Sequence, residues 1–266
     1  MVEVSALYVY PIKSCAGMSV SSATLDRRGV IGDRRFMVVD DGGRFLSQRE
    51  LPKLALIVPR IADGTVTLAA PGSPTVRVPI LEDGPRRSVI VWRDACDAVD
   101  QGDDASGWLS AHLGVPCRLV RLADEWQRLV DPTYATRADD EVSFADAYPL
   151  LLIGEASLED LNRRLATPLP MNRFRPNVVV RGSGPYAEDA WRDIVIGGVR
   201  ATVVKPCARC VTTLVDQVTG TRGKEPLRTL ATYRRRGDGE VYFGQNVIHA
   251  GHGTIAVGDR VMVRTS

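Results

Sequence analysis

Several signatures that would settle a chemistry quickly are missing from this 266-residue chain. It has no P-loop and no Gly-x-Ser-x-Gly elbow, which sets aside the common nucleotide-hydrolysing and serine-hydrolase sites. Gly182-Ser183-Gly184 follows a strand pattern, but no helix opens after it, so a dinucleotide-type phosphate loop fails on context. No apolar run approaches the ~20 residues needed to cross a bilayer. Met1-Val2-Glu3-Val4-Ser5 lacks the basic-then-apolar order of a secretory signal. Charge of one sign is missing too. The net +2 is too small to imply binding to nucleic acid or a membrane surface by bulk electrostatics. The five cysteines are odd in number, and Cys15, Cys96 and Cys117 are scattered without the spacing of a disulfide framework. Together these absences predict a soluble cytoplasmic protein with reduced thiols, with neither nucleic acid nor membrane as partner.

What is present is strand patterning. Val4–Tyr10 opens extended, and Pro11 ends it. Ser19–Leu25, Phe36–Asp40, Phe45–Gln48, Leu54–Pro59, Thr65–Ala69, Thr75–Pro79, Ser88–Trp92 and Asp97–Asp100 follow, separated by Gly and Asp turns. Short strands at that spacing predict a β-barrel or sandwich. Asp103–Gly114 has a helix signature: acids first, Trp108, Leu109 and Leu113 on one side, and a glycine stop. After the strand Cys117–Leu122, the stretch Ala123–Val142 is polar and aperiodic, which predicts a domain junction. The expected division is a β-rich unit over 1–122 and a second over 123–266. The second opens on the buried-strand pattern Pro149–Ile153, then a helix with Ser157 as N-cap. Val178–Arg181, Trp191–Ile196, Ala201–Lys205, Val211–Asp216 and Thr254–Val263 supply more strands, and Leu227–Arg235 a short helix. The class is mostly β (α+β).

Two constellations carry chemistry. The first is Lys205-Pro206-Cys207-Ala208-Arg209-Cys210, flanked by β-branched runs, which predicts two thiols on a turn between strands. A thioredoxin-type dithiol needs the motif at a helix N-terminus, and the β-branched residues after Cys210 argue against that. A zinc site needs two more ligands. The pair His249 and His252 is separated from Cys210 by 38 residues and lies in a glycine-rich stretch where solvated histidine is the commoner outcome. Structural cysteine and a thiolate on a soft metal both remain, with Lys205 and Arg209 favouring the thiolate.

The second constellation is basic: Lys13-Ser14, Asp33-Arg34-Arg35, Gln48-Arg49, Asn172-Arg173-Phe174-Arg175-Pro176-Asn177 and Arg209, all at strand ends or turns. Arg173 and Arg175 alternate across a segment entering a buried strand, so one is expected to point inward, where it needs an anionic partner. The set predicts a pocket for a phosphorylated or otherwise anionic ligand, with Ser14 and backbone amides assisting.

These residues together resemble a known family. Tyr10-Pro11-Ile12-Lys13-Ser14-Cys15-Ala16-Gly17 is similar to the start of the MOSC N-terminal β-barrel domain. Asn172–Val180, Ala187-Glu188-Asp189-Ala190-Trp191, Cys207–Cys210, Phe243-Gly244-Gln245 and Gly253–Asp259 are similar to the MOSC domain, in the family's order. The resemblance, to amidoxime-reducing MOSC proteins, implies a molybdenum cofactor, a pterin dithiolene with a phosphate tail, bound between the two domains. It implies Cys210 as the catalytic metal ligand and Cys207 as a non-ligand. Lys13, Ser14, Arg35 and Arg175 match the family's cofactor-gripping positions, and Arg209 belongs to the same basic set. Ala208 stands where relatives often carry a hydroxyl, and Asn246 where human relatives carry Tyr. The implied reaction is two-electron reduction of a small N-hydroxylated compound, an amidoxime or hydroxylamine. Cys210 is the last cysteine, so no iron–sulfur cluster follows it, and electrons are expected from a separate flavoprotein, ferredoxin or cytochrome. Arg234-Arg235-Arg236 offers either an acidic-donor dock or a solvated helix end. Two other readings stay open: a sulfur carrier using a cysteine persulfide, and a cofactor-binding protein without turnover.

Overall fold

The computed structural model describes residues 1–265. Strands β1 (Glu3–Val9), β2 (Met18–Val20), β3 (Ser22–Asp26), β4 (Gly29–Val30) and β5 (Phe36–Val39) open the chain. β6 (Val58–Ala62), β7 (Thr65–Ala70), β8 (Ser73–Pro79), β9 (Arg86–Val91) and β10 (Asp94–Asp100) lead to helix α1 (Asp103–Leu113) and β11 (Arg118–Leu122). Then come β12 (Leu150–Gly154), α2 (Glu155–Arg163), β13 (Val178–Arg181), β14 (Trp191–Ile196) and β15 (Val199–Ala208). Helix α3 (Leu227–Leu230) and strands β16 (Tyr242–His249), β17 (Gly253–Ala256) and β18 (Val261–Thr265) close it. The protein is mostly β.

An eight-stranded sheet runs in the order β18-β14-β15-β16-β12-β13-β1-β2. It crosses residue 122, because β1 pairs with β13 through Leu7↔Val178. β12 and β13 are parallel, and the connection through α2 supplies the crossover that a parallel pair needs. Alternation explains β15, where Val199, Ala201 and Val203 are buried while Arg200 faces solvent. A four-stranded sheet, β5-β11-β10-β9, and the meander β6-β7-β8 form the other large part. There α1 buries Ala105, Leu109 and Leu113, one stripe at four-residue spacing, and stops at left-handed Gly114.

The segment from β1 to Gly17 belongs to both parts. Leu7 and Val9 pack in the core of the eight-stranded sheet, whereas Ile12 and Cys15 pack with Leu54, Leu68 and Leu109. Backbone bonds Lys13 N–H to Phe36 O (2.8 Å) and Ala16 N–H to Ile57 O (2.9 Å) pin the crossing. Lys13 and Ser14 therefore sit where the two cores meet.

Several local expectations are corrected. Phe45–Gln48 is a buried loop touching β5 by a single bridge at Val39. Pro52 opens a 3-10 turn over Pro52–Leu56 where a strand was expected. Thr254–Val263 splits at the Val257-Gly258-Asp259 turn. Helix α2 starts two residues before Ser157, which is buried rather than capping by its own side chain. Glu188 does the capping from a distance: its Oε1 accepts from Gly154 N–H (3.1 Å) and the Ser157 hydroxyl (2.8 Å). Most relevant to function, Val211–Leu214 is a 3-10 turn, not a strand.

Candidate functional site

The thiol pair is placed by a distorted strand end rather than by a turn between strands. β15 extends through Pro206 and Cys207 to Ala208, with register breaks against β16 on both sides of Pro206. Those bulges accommodate a residue that cannot donate to the ladder. Cys210 then caps the 3-10 turn, its carbonyl accepting from the Thr213 hydroxyl at 2.9 Å. Cys207 and Cys210 line the same open-mouthed pocket.

The thiols are unequal. Arg209 Nη1 lies 3.0 Å from Cys207 Sγ, yet burial still pushes the Cys207 thiol up. Burial alone would raise Cys210 as well, but hydrogen bonding to Thr212 and the Arg49 guanidinium together hold it below the usual thiol range. Cys15, Cys96 and Cys117 are free and buried, Cys15 pushed up to about 12 by that burial.

The cations converge as expected, with one exchange. Lys13, Arg34, Arg49, Arg173, Arg175 and Arg209 line the pocket, against the single carboxylate Asp146. Ser14 lines it too, its carbonyl held by Gln48 Nε2 at 2.6 Å. Arg35 does not. Its guanidinium is ion-paired to Asp26 at 2.6 Å, and the neighbouring Arg34 takes the place expected of it. All four residues of β5 are buried, so neither face of that strand is marked in the sequence, and the left-handed backbone at Arg34 (φ 49°) breaks the alternation needed to count back from it. Arg173 and Arg175 both reach the pocket because Met171–Arg173 is a 3-10 turn, which removes the one-in, one-out alternation.

How these charges are held matters more than their number. Lys13 lies 5.1 Å from the Phe45 ring centroid and Arg49 4.2 Å from that of Trp92. Arg34 and Arg175 both rest on Tyr10, and Arg209 lies over Phe174 at 5.6 Å. A π face attracts a cation without neutralising it, so the pocket keeps its positive potential. Three pocket cations also have carboxylates: Lys13 with Asp146, Arg34 with Asp33 (2.5 Å) and Arg173 with Asp216 (2.8 Å). Burial lowers the Lys13 ammonium, while the Lys13 charge and hydrogen bond hold the exposed Asp146 carboxyl well below the usual carboxylate range. Burial, aided by the Arg34 charge, pulls the Arg175 guanidinium down to about 10.

Strain and unmet donors coincide here. Six non-glycine residues have left-handed φ among the described residues, and four of them line the pocket: Ser14 (67°), Arg34 (49°), Trp92 (59°) and Arg175 (55°). Each costs about 1–3 kcal/mol and persists only where surrounding contacts enforce it. Arg173 Nε, Arg175 Nη2 and Arg209 Nε are buried without a hydrogen-bond partner. Buried donors normally find acceptors, so an anionic group with several oxygens fits this wall. Among the described residues no three His, Cys, Asp or Glu cluster as a metal cage. His249, expected in solvent, is buried with Nδ1 2.8 Å from Gly251 O. The donor set thus fits a group that brings its own ligands and needs one soft thiolate.

Sequence reasoning singled out Cys210, Lys13, Ser14, Arg175 and Arg209, and the structure brings them to one pocket. It missed Tyr10, Trp92 and Asp146. None has a local pattern, since each acts through a neighbour distant in sequence. Ala208 and Asn246 line the pocket as well. Arg234 turns inward, pairing with Asp189 (2.7 Å) over the Tyr186 ring, and Arg235 donates to Gly239 O. No helix among the described residues is long and apolar enough to cross a membrane.

Comparison with known proteins accords with this geometry. Residues 1–116 match the MOSC N-terminal beta barrel domain, and residues 139–262 match the MOSC domain. The mitochondrial amidoxime-reducing component 1 of Mus musculus is 38% identical, over 97% of this chain and 81% of its own length. The Homo sapiens protein of that name is 35% identical, over 97% and 82%. The molybdenum cofactor sulfurase of Danio rerio is 34% identical over 98% of this chain, within 34% of its own length. The chain therefore belongs to the MOSC family, in the arrangement of a MOSC N-terminal β-barrel domain followed by a MOSC domain.

Proposed function

We propose that the pocket holds the molybdenum cofactor and that the protein reduces small N-hydroxylated compounds with electrons from a separate redox protein. The observation that carries this reading is the conjunction of a pocket thiol held below its usual range with three unpartnered guanidinium donors on the same wall. When bound, the cofactor supplies the metal centre for N–O cleavage, overall a two-electron, two-proton reduction that releases water. Cys210 is the proposed ligand, a soft thiolate suited to molybdenum. Arg34, Arg175 and Arg209, with Lys13 and Ser14, grip the anionic part. Asp146 holds Lys13 in place, its carboxylate 2.5 Å from the Lys13 ammonium. Asn246, whose amide reaches toward Pro206 O at 3.5 Å, shapes the wall beside Cys207. The amidoxime-reducing names of the mouse and human relatives support the substrate class.

Protein made in a cofactor-competent host is expected to carry stoichiometric molybdenum and pterin and to reduce benzamidoxime with a reduced donor. Absence of molybdenum from such protein sinks the reading, and metal without turnover reduces it to a cofactor carrier. The match to a molybdenum cofactor sulfurase, with Arg209 set on Cys207 Sγ, favours one second reading: a persulfide carried on Cys207. Trapping a persulfide there after incubation with a cysteine desulfurase, in protein free of metal, would support it.

A further inference from the structure

Tyr10 carries two of the pocket's cations at once. The Cζ atoms of Arg34 and Arg175 lie 4.4 and 4.2 Å from its ring centroid. The ring is only 2% exposed, and its hydroxyl donates to Pro176 O at 3.1 Å. Its seat depends on Gly17: a Cβ there would stand 2.3 Å from the ring edge. Both arginines leave ordinary backbone space to reach it, and the Arg34 guanidinium also donates to Arg175 O at 3.2 Å. Two like charges on one ring repel. Arg34 has Asp33 beside it, whereas Arg175 has no carboxylate partner among the described residues and donates to Cys15 O at 2.6 Å. The ring's negative faces offset part of that repulsion without cancelling the charge.

We infer that Tyr10 is a positioning residue that sets Arg34 and Arg175 as a preformed two-guanidinium clamp for an oxyanion such as a phosphate group. The inference rests on the reading of this pocket as an anionic-cofactor site. It adds that the clamp's affinity depends on the electrons of one aromatic ring that does not touch the anion through its hydroxyl.

The test uses the full chain from a host unable to make the pterin cofactor. Position 10 is replaced by Phe, then by phenylalanines of rising fluorination, which keep the shape and weaken the ring quadrupole. Pyrophosphate affinity is read by calorimetry, and the side-chain protons of Arg34 and Arg175 by NMR. The expected result is affinity within about twofold of wild type for Tyr10→Phe and about tenfold weaker for the pentafluoro variant. Ring-current shifts on both arginines are expected in wild type and Tyr10→Phe, and lost in Tyr10→Leu. Gly17→Ala displaces the ring while keeping the tyrosine, and is expected to weaken pyrophosphate binding as well. Flat affinity across the fluorine series, or unchanged affinity in Gly17→Ala, overturns the clamp alone. Arginine shifts that follow the ring in a wild-type chain that binds no pyrophosphate sink the anionic-pocket reading, and the clamp's role with it.

Discussion

The pocket arginines and the run Arg234-Arg235-Arg236 are equally basic in sequence and opposite in structure. In the run, Arg234 finds Asp189 and Tyr242 O, and Arg235 finds Gly239 O. In the pocket, Arg173, Arg175 and Arg209 each keep a buried nitrogen without an acceptor. The difference teaches that cation density marks nothing by itself. What sets this wall apart is that three cations short of acceptors come together on one pocket, a shortage that a ligand relieves.

Replacing Cys210 tests the contrast at its most consequential point. Cys210→Ala is expected to abolish turnover and lose the metal, while Cys207→Ala keeps it, as elemental analysis of the two variants shows. Next in size is Arg234→Gln. Removing its partly buried bond to Asp189 is expected to cost about 1–3 kcal/mol in urea denaturation with no change in molybdenum content. If cofactor is lost at unchanged stability, the run belongs to the site after all.

A pH effect follows from Asp216, which orients Arg173. The Thr219 and Val218 amides, with the Arg173 guanidinium, pull its carboxyl down to about 2. The unfolded carboxyl titrates near ~3.9, so this stabilisation is complete above that pH and lost as pH falls through the folded value. The urea-midpoint gap between wild type and Asp216→Asn is therefore expected to stay constant above pH ~4.5 and close toward pH ~2. A gap independent of pH contradicts it. The smallest effect is expected for exposed Arg235→Gln, within about 0.5 kcal/mol and neutral for activity.

Much of this was legible in the sequence. Strand alternation gave β15, the acid start and glycine stop gave α1, and the motif match singled out Cys210, Lys13, Ser14 and Arg175, which the fold brings to one pocket. What was not legible shares a cause. Periodicity holds only while the backbone is regular, and the site is built where it is not. The 3-10 turns at Met171–Arg173 and Val211–Leu214, the bulges around Pro206 and the left-handed residues each reset the alternation. The pocket thus takes Arg34 in exchange for Arg35, and the contact of Tyr10 with two arginines 141 residues apart leaves no periodic signal.

That exchange supplies the most direct test of the central claim, that the pocket cations seated on aromatic rings hold the cofactor. Molybdenum and pterin are measured in wild type, Arg34→Gln and Arg35→Gln made side by side in a cofactor-competent host. The expected result is full loading in wild type and Arg35→Gln, with severe loss in Arg34→Gln. Loss confined to Arg35→Gln, or a wild type without molybdenum, contradicts it.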